Sequence, residues 1–269
     1  MARLTILLIC LVCASDTLAQ GVRVESRVSQ LDVETGDNAE LQSSSVTLLT
    51  NGKAYDFVEA ADEVIIFQPA VQRYTILNTA RELVTNVTFQ EVGHLLGARR
   101  SESAKLIDQL TKNGRPEAER VARSILFQLD PKFDTDFDPT TKQLTLHSPL
   151  WKYTVTTHEW EDEAQVEQYL NYADRIAELN YVLQPRSFFP EPRLELNREL
   201  RELGRLPTSL KLDLRPDEPL LLQADYKFVM QLNEADQNLI RVWDAAVASD
   251  SLRELPFRAY QEATLANQR

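Results

Sequence analysis

VTLLTNGKAYDF, residues 46–57, is the stretch that decides the fold predicted from the sequence. Its centre, Asn51-Gly52, is the strongest short hairpin signal in the chain, because both residues accept the positive φ angles of a tight turn. The apolar residues on either side are typical of strands. We therefore predict one long strand that ends near Leu49 and a second strand, Lys53–Val58, that pairs back along it.

The same pattern extends in both directions from this hairpin. Between Val22 and Thr88, apolar and polar residues alternate with a period of two and are interrupted by turn residues, which is typical of an antiparallel meander. About six consecutive strands are predicted, without an internal repeat. Those with the clearest boundaries are Lys53–Val58, Glu63–Gln68, Arg73–Asn78 and Leu83–Thr88.

Helical signals follow the meander. Thr88 and Glu91 form a capping box before apolar residues at helical spacing, and Pro116 opens a helix that ends at Asp130. Further helices are predicted at Glu102–Lys112, at Glu161–Leu183, around Leu196–Leu203 and around Leu239–Val247. Further strands are predicted at Gln143–His147, Trp151–Thr157, Leu210–Leu214 and Leu220–Met230.

This order of elements predicts an α+β fold, because strands in a sequential meander come first and helices are segregated after them. We expect a curved antiparallel sheet, similar to half of a barrel, with amphipathic helices packed on one face. Residues 20–269 are expected to form a single domain. A division near residue 90 or near residue 160 is the alternative, since the length permits either.

Residues 1–19 have the pattern of a secretory signal peptide. Arg3 supplies an early positive charge, an apolar run follows from Leu4 to Val12, and small residues lead to the expected cleavage after Ala19. The apolar run is about ten residues long, well below the roughly twenty that cross a bilayer. We therefore predict export to the periplasm or the extracellular space, with no integral membrane anchor in the mature chain.

The composition of the remaining chain excludes several kinds of chemistry. Both cysteines, Cys10 and Cys13, lie in the predicted signal peptide, so disulfides and thiolate sites are excluded from the mature protein. The net charge of −12 comes without a cluster of Lys and Arg, and nucleic acid is therefore excluded as a partner. The glycines have no phosphate-binding spacing, and no cofactor is predicted.

The titratable residues form no convincing catalytic or metal site. His147 and His158 lie far apart on the predicted hairpin, and His94 lacks a second ligand at helical metal spacing. The acidic segment Asp130–Pro139 lacks the glycine and the glutamate of a calcium loop, and we interpret it as a turn-rich connector. We interpret the carboxylates of Glu159–Glu163 as helix-start residues that complement the helix dipole. No catalytic residue and no metal ligand are predicted.

Aromatic residues on the predicted strands are the candidate ligand-binding residues. A sheet face covered by amphipathic helices is able to enclose an apolar ligand, although aromatic strand residues also fill cores. The candidates are Tyr74, Trp151, Tyr153, Tyr226 and Phe228.

An exported chain with long N-terminal strands and the hairpin of residues 46–57 resembles the LolA/LolB family of bacterial lipoprotein carriers. The resemblance covers residues 22–90 and, more loosely, 205–230, as a pattern without a diagnostic motif. It implies a curved sheet whose concave face holds acyl chains under a helical lid. The chain is longer than these carriers, adds helices between Glu102 and Leu129, and has no residue that corresponds to the family's functional positions. As a whole, it also resembles secreted bacterial envelope proteins without an assigned activity.

Two non-catalytic functions are compatible with these observations. The first is an exported protein whose half-barrel shelters an apolar ligand such as an acyl chain. The alternative is an envelope structural or interaction module with a filled core, whose partner is another envelope protein. A hydrolase that uses carboxylates of Asp130–Asp138 or Glu159–Glu163 is a third hypothesis. Because no substrate is indicated, we expect a protein that is not an enzyme.

Overall fold

The computed structural model describes residues 21–37, 39–184, 187–214, 219–249 and 251–265. The predicted signal peptide, residues 1–19, lies outside these ranges. Within them the chain forms twelve strands and six α-helices. The strands are β1 (Val22–Gln30), β2 (Glu40–Thr50), β3 (Lys53–Val58), β4 (Glu63–Gln68), β5 (Arg73–Asn78), β6 (Leu83–Thr88), β7 (Asp134–Asp138), β8 (Gln143–His147), β9 (Lys152–Glu159), β10 (Arg205–Asp213), β11 (Leu221–Val229) and β12 (Arg253–Glu254). The helices are α1 (Phe89–Asn113), α2 (Pro116–Leu129), α3 (Glu163–Leu183), α4 (Glu191–Glu202), α5 (Glu234–Ala248) and α6 (Phe257–Leu265).

The strands of the described chain form one continuous sheet in the order β12-β6-β5-β4-β3-β2-β1-β11-β10-β9-β8-β7. Two meanders, β1–β6 and β7–β11, form its two halves, and the first strand of the chain joins them. β1 is antiparallel to β2 along one edge and to β11 along the other. The sheet is curved and is not closed into a barrel. The predicted α+β fold with a curved antiparallel sheet is confirmed.

The apolar side chains divide between the two faces of the sheet because side chains alternate along each strand. One face, here called the covered face, carries Val24, Leu49 and Tyr74 and packs against α1–α4 and α6 in the larger core cluster. On the opposite face, Leu48 and its neighbours on β2–β6 pack against Trp243 of α5. The helices therefore cover one face as predicted, and α5 is an exception on the other face.

The meander β3–β6 has a structural period of ten residues, which the sequence analysis did not find. Each unit is a six-residue strand followed by a 3₁₀ turn, and the turn ends in a left-handed residue: Asp62, Gln72 or Glu82, with φ of 49°, 49° and 53°. The N–H of this residue donates to the carbonyl of the first turn residue, at 3.2, 3.1 and 3.4 Å. The missed signal is an alanine at the same turn position of each unit, at residues 60, 70 and 80.

Three other parts of the fold differ from the prediction. The prediction of a separate helix at Glu102–Lys112 is wrong. These residues belong to α1, which continues from Phe89 to Asn113 because no proline ends it. Asp134–Asp138 is not part of a turn-rich connector but an edge strand paired with β8. Its acidic side chains remain in water and discourage pairing with another chain. β12 and α6 were not predicted, since β12 depends on pairing with the distant strand β6.

The left-handed turn residues lead to a stability prediction. A non-glycine residue in this conformation costs about 1–2 kcal/mol, and glycine loses about 0.5–1 kcal/mol more backbone entropy on folding. We expect Gln72→Gly to raise the free energy of unfolding by about 0.5–1 kcal/mol, measured by urea denaturation. Ala70→Gly in the same turn is the control and should lower it. A loss of stability in Gln72→Gly would contradict this account of the turn.

Candidate functional site

The five predicted ligand-binding residues all lie on the covered face, but the structure does not gather them around one space. Trp151 and Tyr153 of β9 contact each other, with ring centroids 6.3 Å apart. Phe228 of β11 packs against Tyr169 of α3, at 5.1 Å. Tyr74 lies in the other half of the sheet, where its hydroxyl donates to the backbone carbonyl of Arg175 at 2.9 Å. The fifth residue, Tyr226, lies two positions before Phe228 on β11.

The cavity beside Phe228 is small. Phe228, Tyr169, Trp160 and Leu206 contribute to the wall of a cavity of about 10 Å³. This volume accommodates about one water molecule, whereas sites for small organic ligands measure about 300–1,000 Å³. Trp151 is packed instead against Phe188, at 5.0 Å. Aromatic side chains thus pack against one another around Trp151 and Phe228.

A larger cleft lies on the surface between β7 and α4. It has a volume of about 390 Å³, and its lining includes Lys132, Glu195, Arg198 and Glu199. Arg198 forms ion pairs with Glu195 and Glu199 at 2.7 and 2.8 Å. The charges of this cleft therefore neutralise one another, and its polar lining does not fit an apolar ligand.

The covered face also has a polar centre, and its first part surrounds Asp56 on β3. Asp56 is 6% exposed, and its Oδ1 accepts a hydrogen bond from the Thr47 hydroxyl at 2.8 Å. The Thr47 hydroxyl lies 3.4 Å from that of Tyr172 on α3. Burial raises the pKa of Asp56, against the opposing effects of hydrogen bonds from Thr47, Tyr172 and Ser45. A carboxyl group with this pKa holds its proton to higher pH than an exposed aspartate does.

The second part of the polar centre surrounds Arg193 on α4. Its Nε donates to Oδ1 of Asn197 at 3.0 Å, and its Nη1 donates to the Tyr226 hydroxyl at 3.3 Å. Asn197 is fully buried and donates to Asp174 at 2.7 Å. Burial opposes the guanidinium charge, whereas Tyr226 and Tyr169 favour it and hold the pKa of Arg193 above its usual value. Arg193 is thus a positioned cation among phenol groups.

Tyr169 connects the two parts. Burial raises the pKa of its phenol, and the electrostatic influences on it come from Tyr226, Arg193 and Asp56. Tyr169 also packs against Tyr172, with ring centroids 6.4 Å apart, so the two parts lie close to each other on the covered face. We define the polar centre as Thr47, Asp56, Tyr169, Tyr172, Arg193 and Tyr226.

Tyr226 is the one member of the polar centre among the ligand-binding residues predicted from the sequence. The sequence signal for Asp56 is its position in β3, where it shares a face with the buried Ala54. An ionisable residue at an inward strand position is unusual and marks a site for attention. No comparable signal exists for Arg193. It lies on α4, and its contact with Tyr226 of β11 joins residues that are far apart in the sequence.

The other titratable residues have structural roles or remain in water. Asp162 is the N-cap of α3 and accepts from the backbone N–H groups of Ala164 and Gln165, at 3.0 and 3.2 Å. Asp138 accepts from the Thr140 N–H at 2.8 Å. His94, His147 and His158 are exposed. Among the described residues, no group of three or more His, Asp or Glu side chains is placed to hold a metal ion.

No protein-family model and no curated protein matches this chain. Within the described ranges, no helix combines the length and the apolar character that crossing a membrane requires.

The raised pKa of Asp56 predicts a pH-dependent stability. The folded state keeps the Asp56 proton at a pH where the unfolded state has lost it, so the contribution of Asp56 to the stability of the wild type falls as pH rises above about 4. Asp56→Asn lacks this titration, and we expect it to gain stability over the wild type with rising pH, by about 1.4 kcal/mol for each unit of the pKa shift. Urea denaturation between about pH 4 and 7 measures the difference.

The exposed Asp136 provides the matched control. Asp136→Asn should follow the wild-type pH dependence, because this side chain lies on the edge strand in water. If the stability curves of Asp56→Asn and the wild type run parallel, the carboxyl group is not held protonated by burial.

Proposed function

We propose that the protein is exported and acts as a non-catalytic interaction module of the cell envelope, which binds another protein through its surface. The observation that carries this proposal is the packing of the covered face, where the cavity beside Phe228 has a volume of only about 10 Å³. An acyl carrier needs an empty apolar space of ligand size. The filled face supports the interaction module over the carrier.

The helices α1 and α2 supply the contact surface in this proposal. Arg100 of α1 is ion-paired with Glu191 of α4 at 2.7 Å, which ties the first half of α1 to the body. Beyond it, residues 101–121 form the ends of both helices and the connection between them, here called the arm. All of these residues are described, and none of them is buried. The thirteen residues of α1 in the arm extend about 20 Å.

The arm leaves apolar side chains in water. Leu106 and Val121 are 42% and 44% exposed, and Ile107 and Leu110 are only partly buried. Leu106 and Leu110 are four residues apart and share one helix face. Apolar side chains that share an exposed helix face are a feature of protein contact sites. The arm therefore supports binding to a protein partner that covers these side chains.

The export part of the proposal is supported by the sequence. Residues 1–19 have the charge, apolar run and exit of a signal peptide, and cleavage after Ala19 removes both cysteines. A cysteine-free mature chain avoids unwanted disulfides in an oxidising compartment.

Site-specific photo-crosslinking in a producing host tests the contact surface. A photoreactive residue at Leu106 in the arm should give a discrete crosslinked product with one protein, because the arm is covered in the complex. The control is the same residue at Leu41 of β2, which is 58% exposed and lies outside the arm. No product from position 106, or an equal product from both positions, would reject the arm as the contact surface.

A further inference from the structure

The polar centre contains several hydrogen-bond donors that have no acceptor among the described residues. Arg193 uses its Nε and Nη1 with Asn197 and Tyr226, and its Nη2 has no hydrogen bond to a described residue. The Tyr226 hydroxyl accepts from Arg193, which leaves its own proton free to donate. The hydroxyl groups of Tyr153 and Tyr169, which influence Arg193 electrostatically, also have no hydrogen bond to a described residue.

Several partly buried arginines in this acidic protein are paired with carboxylates, whereas Arg193, like Arg73 and Arg81, has no carboxylate partner among the described residues. Arg23 is paired with Asp236, Arg175 with Glu178, and Arg201 with both Asp174 and Glu167. No described carboxylate lies within 4.0 Å of the Arg193 guanidinium. Its neighbours are phenols, including the Tyr226 ring, whose centroid is 6.0 Å from Cζ.

The guanidinium group is also held in place. The fully buried Asn197 accepts from its Nε, and Asn197 in turn donates to Asp174, which accepts from Arg201 at 2.9 Å. Because Nε is fixed, the Nη1 and Nη2 edge has a defined direction. As whole residues, Arg193 and Tyr226 are both intermediate in exposure.

We propose that Arg193 and Tyr226 bind a small oxoanion, a phosphate or carboxylate group, at the polar centre of the covered face. The ligand oxygens accept from Nη2 of Arg193 and from the Tyr226 hydroxyl, and Tyr153 and Tyr169 lie nearby as further donors. Hydrogen bonds from a charged guanidinium to an anion are stronger than hydrogen bonds between neutral groups. This site is separate from the arm, and it needs no cavity of acyl-chain size.

Isothermal titration calorimetry with inorganic phosphate, at constant ionic strength, tests the site. We expect saturable binding of one phosphate per wild-type chain. Arg193→Met should weaken the affinity by at least about tenfold, because it removes the charged donor. Arg73→Met is the matched control: Arg73 is partly buried and is bonded to the amide of Gln68 at 3.2 Å, so its loss should leave the affinity unchanged.

A second variant keeps the test valid if Arg193→Met does not fold. Tyr226→Phe retains the guanidinium and the ring and removes only the hydroxyl donor, and we expect a several-fold loss of phosphate affinity with an unchanged circular dichroism spectrum. Acetate binding with the same dependence on Arg193 would support the proposal and identify carboxylate as the ligand group. Absence of saturable binding of either anion to the wild type, or equal affinity in all variants, would overturn it.

Discussion

β1 pairs along both of its edges, and the rest of the structure depends on this double pairing. Val24 lies opposite Thr47 of β2 on one side and opposite Phe228 of β11 on the other. Without β1 the two meanders would be separate sheets, each with a free edge. The start of this strand is tightly packed, since a side chain at Gly21 would come within 2.6 Å of Leu232. The ion pair between Arg23 and Asp236 ties α5 to the same strand.

The covered face takes its character from this central strand. Phe228, Val24, Thr47 and Asp56 follow one another across β11, β1, β2 and β3 in register. This row of neighbouring side chains therefore has the aromatic ring of Phe228 at one end and the buried carboxyl group of Asp56 at the other. α3 lies over this row, with Tyr169 against Phe228 and Tyr172 near Thr47. The result is a packed face around a polar centre.

Local signals in the sequence were sufficient for most of the elements. The Asn51-Gly52 turn, the capping box of Thr88 with Glu91, and Pro116 at the start of α2 each act within a few residues, and each is found where predicted. The left-handed conformations of Asp62, Gln72 and Glu82 were missed because Gln and Glu have no preference for a positive φ, and the enrichment of Asp there is a weak signal by itself. β12 was missed because its two residues are strand only through their contact with β6.

The candidate site was less predictable than the fold. Strand alternation correctly places Tyr226 and Phe228 on the covered face, but periodicity says nothing about how full that face is. Packing is decided by side chains from α3 and α4, and Arg193 reaches Tyr226 only after the whole chain has folded. Asp56, like Tyr226, has an inward strand position that follows from the alternation of residues in the sequence.

The most direct test of the filled covered face is native mass spectrometry of residues 20–269 purified from a secreting host, compared with the same sample after denaturation. A filled face predicts that the native and denatured chains show no difference attributable to a lipid. A discrete extra mass in the native sample that is extractable as a lipid would contradict this account and would favour an acyl carrier.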